Sequence, residues 1–88
     1  MTYKVVILNN ALKQLVKLPI DYQERIRVKI KELAIEPRPN GVKKLKGKDD
    51  IYRIKVNKYR VIYRIFDDVL LVNVVEIEKR DEVYKDKR

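Results

Sequence analysis

The chain has 88 residues and no histidine, cysteine or serine, which sets aside thiolate and imidazole metal sites, disulfide frameworks and the nucleophile–histidine pairs of most hydrolases. Its 22 lysines and arginines face 13 aspartates and glutamates, a net charge of +9, and 40% of its residues are charged, against roughly 25% in an ordinary soluble domain. A chain of this size builds one core, so a single domain over residues 1–88 is expected, and its charge favours a polyanionic partner through phosphate neutralisation and counterion release.

Tyr3 to Leu8 is rich in β-branched residues and predicts a short strand. Asn9 and Asn10 offer a helix cap before a first helix over 11–18, where Leu8, Leu12 and Leu15 share one face. Pro19 stops that helix, because the residue before proline is pushed out of the helical region. Asp21 with Glu24 three positions on resembles a capping box for a second helix, with Tyr22, Ile26, Ile30 and Leu33 at helical spacing. The charges of that helix cancel, so it reads as scaffold with a solvated face. Glu36-Pro37-Arg38-Pro39-Asn40-Gly41 is a loop by its turn chemistry, and Lys43-Lys44-Leu45-Lys46-Gly47-Lys48 a second, basic one.

Ile51 to Val56 alternates apolar and cationic side chains with the period of a half-buried strand. Tyr59 to Phe66 and Val69 to Ile77 predict two more. Asn57-Lys58 and Asp67-Asp68 read as two-residue hairpin turns, since Asn and Asp tolerate positive φ better than other non-glycine residues. With both turns in place, Lys55 pairs with Arg60, Ile54 with Val61 and Tyr63 with Val72. One face then carries Tyr52, Ile54, Val56, Val61, Tyr63, Ile65, Leu70, Val72 and Val74 under the helices. The other gathers Arg53, Lys55, Arg60 and Arg64 beside Ile62, Asn73 and Val75. The fold class is α+β, a short N-terminal strand, a two-helix hairpin and a three-stranded antiparallel meander (β-α-α-β-β-β), with both helices on one sheet face.

Charge is concentrated in the same stretch. Residues 41–64 hold nine cations (Lys43, Lys44, Lys46, Lys48, Arg53, Lys55, Lys58, Arg60, Arg64) against Asp49 and Asp50, a net of +7. Two cations directly across a strand pair repel each other, so Lys55 opposite Arg60 asks for an explanation: a bound anion supplies one, and long side chains splayed into solvent supply another, with Arg53 and Arg64 nearby favouring the anion. Arginine suits a phosphate cradle because its rigid fork grips two oxygens, while lysine acts as a point charge. Lys43, Lys44, Lys46, Lys48 and Arg64 extend this surface as candidate RNA contacts.

The order of strand, two helices, Lys44-Leu45-Lys46-Gly47, Ile51-Tyr52-Arg53-Ile54-Lys55-Val56, Tyr59-Arg60-Val61-Ile62-Tyr63 and Lys79-Arg80-Asp81-Glu82-Val83-Tyr84 resembles a RelE toxin of the RelE/ParE superfamily over nearly the whole chain. The resemblance implies a ribosome-dependent endoribonuclease that cuts messenger RNA by attack of the ribose 2′-hydroxyl, together with an acidic RelB-like antitoxin in a hetero-oligomer. It assigns Lys55 to a catalytic lysine, Arg60 to a catalytic arginine, Arg80 and Tyr84 to a C-terminal catalytic pair and Lys46 to a nucleic-acid contact. Arg53 departs from the pattern, which has a second lysine there, and a guanidinium can stabilise charge but not act as base. On this reading Arg53, Arg60 and Arg80 stabilise the pentavalent phosphate, Lys55 protonates the leaving oxygen, and Tyr84 aids deprotonation or stacks on a base. None of these groups is a strong free-standing base, which predicts poor cleavage of naked RNA. Two alternatives stand beside it: a ParE-like inhibitor of DNA gyrase, and a non-catalytic RNA-binding domain stacking bases on Tyr52, Tyr59 or Tyr84. No cofactor or metal is implied. No apolar run reaches the roughly 20 residues of a membrane span, and the cytoplasm is the expected location.

Overall fold

The computed structural model describes residues 2–45 and 50–79. Five strands form one sheet: β1 (Lys4–Ile7), β2 (Lys43–Lys44), β3 (Ile51–Val56), β4 (Tyr59–Phe66) and β5 (Leu71–Lys79), in spatial order β1-β5-β4-β3-β2. Helices α1 (Asn9–Val16) and α2 (Ile20–Glu32) lie between β1 and β2 in the chain. The α+β class and the β3-β4-β5 meander are as expected; the strand count and arrangement are not. The N-terminal strand joins the same sheet parallel to β5, pairing Val5 with Val72 and Ile7 with Val74. Lys43–Lys44, expected in a loop, adds a short fifth strand antiparallel to β3.

The core is apolar and continuous. Ala11 and Leu15 from α1 and Ile26, Ile30 and Leu33 beside them meet Tyr52, Ile54, Val56, Val61, Tyr63, Ile65, Val72, Val74 and Ile77 of the sheet. The sheet residues assigned to the helix-covered face are therefore buried, apart from Leu70. On α1 the buried stripe is Ala11 and Leu15, whereas Leu8 and Leu12 are 37% and 40% exposed; the expected Leu8-Leu12-Leu15 face is rotated so that the smaller Ala11 sits against the sheet. Neither helix has the side-chain cap expected of it. Leu8 and Pro19 occupy the N-cap positions, while Asn9, Asn10 and Asp21 already lie inside the first turns. Proline fits there because its fixed φ is compatible with the entry to a helix.

The Asn57-Lys58 turn forms as expected, with Asn57 at φ 56° and Val56 paired to Tyr59. The second connection differs. Asp67–Val69 makes a single 3₁₀ turn and Leu70 follows at φ 52°, in the left-handed region. Four residues rather than two separate the paired Phe66 and Leu71, so Tyr63 lies opposite Val74, not Val72. A shift of two residues preserves the faces, which is why the core assignment survived it. A bulge then interrupts the ladder: Tyr63 pairs with Val74 but Ile62 with Glu76, leaving Val75 as the extra residue. Val75 thus has no place opposite the cationic strand positions, and beyond it the two faces of β5 exchange sequence parity, burying Ile77 and turning Glu76 and Glu78 to the open face.

Candidate active site

The open face of the sheet is organised in rows perpendicular to the strands. One row runs Lys55, Arg60, Glu78 across β3, β4 and β5. The next runs Lys43, Arg53, Ile62, Glu76 across β2 to β5. Beyond the bulge, Ile51, Arg64, Asn73 and Val6 form a third. The alternation of Ile51–Val56 produces this arrangement directly: Tyr52, Ile54 and Val56 are buried, while Arg53 is partly buried and Lys55 exposed.

Lys55, Arg60 and Arg53 therefore come together as expected, and Lys43 joins them opposite Arg53. Lys44 does not. It pairs with Tyr52, whose side chain lies on the helix side, so strand alternation sends Lys44 away from the cationic rows. Arg64 is four residues from Arg60 along β4, roughly 13 Å at strand rise. Its guanidinium stands 3.9 Å from the Asp50 carboxylate and 5.9 Å from the Phe66 ring centroid, a rim position rather than a central one. Lys46, Lys48, Arg80 and Tyr84 lie outside the described residues.

Arg60 is the most constrained cation of the set. Its Nε is shut off from solvent and has no hydrogen-bond partner among the described residues. Ion pairs there join Lys29 to Glu32, Arg38 to Asp67 and Arg64 to Asp50, and none of them engages Arg53, Lys55 or Arg60. A buried, unpartnered guanidinium nitrogen is costly unless an anion supplies the missing acceptor. Such a cluster can hold a phosphodiester and stabilise negative charge that develops on it.

Sequence reasoning missed two features. The first is the acidic margin of this face, Glu76 and Glu78, because nothing in Val74-Val75-Glu76 marks a bulge. The second is a polar network that joins the proline loop and the β4–β5 turn to the sheet. Arg38 makes a bidentate contact with Asp67, Nη2 to Oδ2 at 2.8 Å and Nη1 to Oδ1 at 3.2 Å, and its Nε donates to the Tyr52 hydroxyl at 3.2 Å. Tyr3 donates to Asp67 Oδ1 at 2.6 Å. The Arg38 guanidinium, and then the Tyr3 hydroxyl, hold the Asp67 carboxyl at about 2, below its ordinary 3.8. The same hydrogen bond to Asp67 raises the Tyr3 phenol above its ordinary 10. Tyr63, fully buried, donates to the Pro37 carbonyl at 2.8 Å, and burial raises its phenol strongly. These contacts fasten the proline loop and the β4–β5 turn to the sheet, through Tyr52 and Tyr63 on its helix-covered face.

Similar proteins carry the same architecture. Residues 5–84 match the family model described as the ParE toxin of the type II toxin–antitoxin system parDE. The chain belongs to the RelE/ParE toxin family. Within it, the chain is similar to a protein of Methanocaldococcus jannaschii named as toxin RelE1, 32% identical over 88 residues and covering 97% of this chain and 98% of the relative. A RelE-like toxin protein of Escherichia coli is 32% identical over 83 residues, with 92% and 86% covered. Among solved structures, the archaeal RelE–RelB complex of Pyrococcus horikoshii OT3 superposes with a TM-score of 0.82 at 32% identity, covering 91% of this chain and 97% of that one. The intact E. coli RelBE toxin–antitoxin complex gives 0.77 at 32% identity, with 88% and 95% covered. The resemblance to a RelE toxin is thus supported over the length of the chain, and it makes this a toxin of the type II toxin–antitoxin class. Against the non-catalytic reading, Tyr52 is 9% and Tyr59 4% exposed, Tyr59 lying edge-on to Tyr22 with ring centroids 5.1 Å apart. Neither offers a face for base stacking; Tyr84, the third tyrosine of that reading, lies outside the described residues.

Proposed function

We propose that this toxin is a ribosome-dependent endoribonuclease that cleaves messenger RNA by attack of a ribose 2′-hydroxyl on the adjacent phosphodiester, in the cytoplasm, and that an acidic RelB-like antitoxin neutralises it in a hetero-oligomer. The observation that carries this reading is the pairing of Lys55 with Arg60 on the open sheet face, with Arg53 in the adjoining row and no hydrogen-bond partner for the Arg60 Nε among the described residues. Arg60 and Arg53 grip the non-bridging oxygens and stabilise the phosphorane; Lys55 protonates the departing 5′-oxygen. Arg80 adds charge and Tyr84 aids deprotonation or stacks on a base. Lys43 and Lys46, with Lys48 and Arg64 at the edges, track the RNA backbone; the reading drops Lys44. The antitoxin follows from the type II class and from the RelB complexes in which the P. horikoshii and E. coli relatives were solved.

The gyrase-inhibitor reading has the description of the matching family model in its favour. It leaves the clustered cations without a task, and the curated relatives are RelE toxins. The discriminating experiment measures single-turnover cleavage of messenger RNA on purified ribosomes. Arg60→Ala is expected to lose roughly 10²–10³-fold in rate, the scale for removing one preorganised oxyanion donor, and Lys55→Ala a comparable amount. Undiminished cleavage in both variants, or inhibition of supercoiling by a wild-type protein that leaves ribosomal mRNA intact, contradicts the reading.

A further inference from the structure

The bulge at Val75 gives the site a carboxylate in register. Glu78 pairs directly with Arg60, which pairs with Lys55 on its other side, so a base-type group, a guanidinium and an ammonium stand in one row across three adjacent strands. Two strand spacings separate the ends of the row by roughly 9–10 Å at the backbone. An in-line displacement at phosphorus has its attacking and leaving oxygens on opposite sides of the phosphorus, and a hydrogen bond of about 3 Å at each end brings base and acid to a comparable separation, with the non-bridging oxygens over the middle. Glu78 is partly accessible on this face, and among the described residues it forms no ion pair with Arg60. Glu76 differs: it faces the uncharged Ile62.

We infer that Glu78 is the general base that deprotonates the attacking 2′-hydroxyl, a role that rests on the cleavage reading above. The Glu78 carboxylate takes the 2′-hydroxyl proton as the O2′–P bond forms. Arg60 holds the phosphorane oxygens. The P–O5′ bond breaks, and the Lys55 ammonium gives its proton to the departing O5′. The products are a 2′,3′-cyclic phosphate and a 5′-hydroxyl; Glu78 and Lys55 return to their starting states by exchanging protons with solvent. The row supplies proton acceptor, charge clamp and proton donor in the order the reaction coordinate uses them.

The test is single-turnover cleavage on ribosomes, with binding measured separately. Glu78→Gln keeps shape and removes the acceptor: its cleavage rate is expected to fall at least 10²-fold, the lower end for general base catalysis, while affinity for ribosome-bound RNA holds or tightens because one negative charge is gone. Glu76→Gln makes the same charge change one row away and is expected to stay within about threefold of wild type. Glu78→Ala is expected to regain at least tenfold in rate with added formate, a small carboxylate that can enter the vacated space. Glu78→Gln cutting within threefold of wild type, a loss equalled by Glu76→Gln, or a Glu78→Ala rate indifferent to formate overturns the assignment while leaving the cleavage reading intact. Wild-type protein that leaves ribosomal mRNA uncut overturns both.

Discussion

Asp67 reads in the sequence as half of an Asp-Asp turn, yet its carboxylate collects the Arg38 guanidinium and the Tyr3 hydroxyl from opposite ends of the helical half. The partners of such a side chain are not legible locally, because Arg38 lies 29 and Tyr3 64 positions away. Lys55 and Arg60 were legible for the converse reason: a two-residue turn fixes their pairing without tertiary information. The Asp67 pKa also makes a prediction with a definite sign. Its folded value, about 2, is below the unfolded 3.8, so between those values the folded state binds fewer protons than the unfolded one. The contribution is complete above about pH 4 and is lost as pH falls towards 2. Thermal melts across pH 2–7 should therefore show Asp67→Asn melting below wild type at neutral pH, with the gap closing between about pH 4 and pH 2. A gap that persists at pH 2 would assign the loss to something other than this carboxylate's charge. Tyr3 gives the opposite limit: its raised phenol contributes below about pH 10, and that contribution is lost as pH rises through the folded value.

Among the elements, β5 carries most of the information that the sequence withheld. Its interior position in the sheet, between β4 and the parallel β1, explains the near-continuous apolar run of its first half. Its entry was misread because Leu70, at φ 52°, occupies a backbone region that leucine rarely adopts and that no turn motif announces. Nothing in the sequence announces its bulge, because Val75 is as good a strand residue as its neighbours. Both irregularities have visible anchors. The Leu70 carbonyl accepts from the Lys4 amide at 2.8 Å, which starts the β1–β5 pairing. Beyond Ile7 no strand covers that edge of β5 among the described residues, and the Ile77 amide instead donates to Gln14 Oε1 of α1 at 2.7 Å. Gln14 thus holds the strand just past the bulge, beside Glu78. Replacing it with leucine strands a partly buried amide, and the expected cost is about 1–2 kcal/mol in denaturant midpoint shifts, with faster amide exchange over 75–79 than over 71–74. Uniform exchange along β5 would show that the bulge is held by other means.

For the whole molecule, the sheet separates two tasks. One face meets the helices through an apolar core that includes three tyrosines, two of them stacked at 6.1 Å between ring centroids; the other is left open and polar, cationic over β2 to β4 and acidic along the far half of β5. Class, core and meander followed from periodicity, since burial on one face forces alternation. The parallel β1 and the two-residue β2 did not, because edge pairing of short strands depends on where the rest of the sheet already lies. A rigid open face of fixed charges can bind and stabilise a distorted phosphodiester, but it cannot bend a flexible RNA into line; an external frame that fixes the substrate conformation is worth several kcal/mol of barrier. The most direct test maps RNA ends after wild-type protein meets the same message free in solution and loaded on ribosomes. The account predicts 2′,3′-cyclic phosphate and 5′-hydroxyl ends that accumulate at least 10³-fold faster on the ribosome. Equal rates on naked and ribosome-bound RNA, or ends carrying a 5′-phosphate, would contradict it.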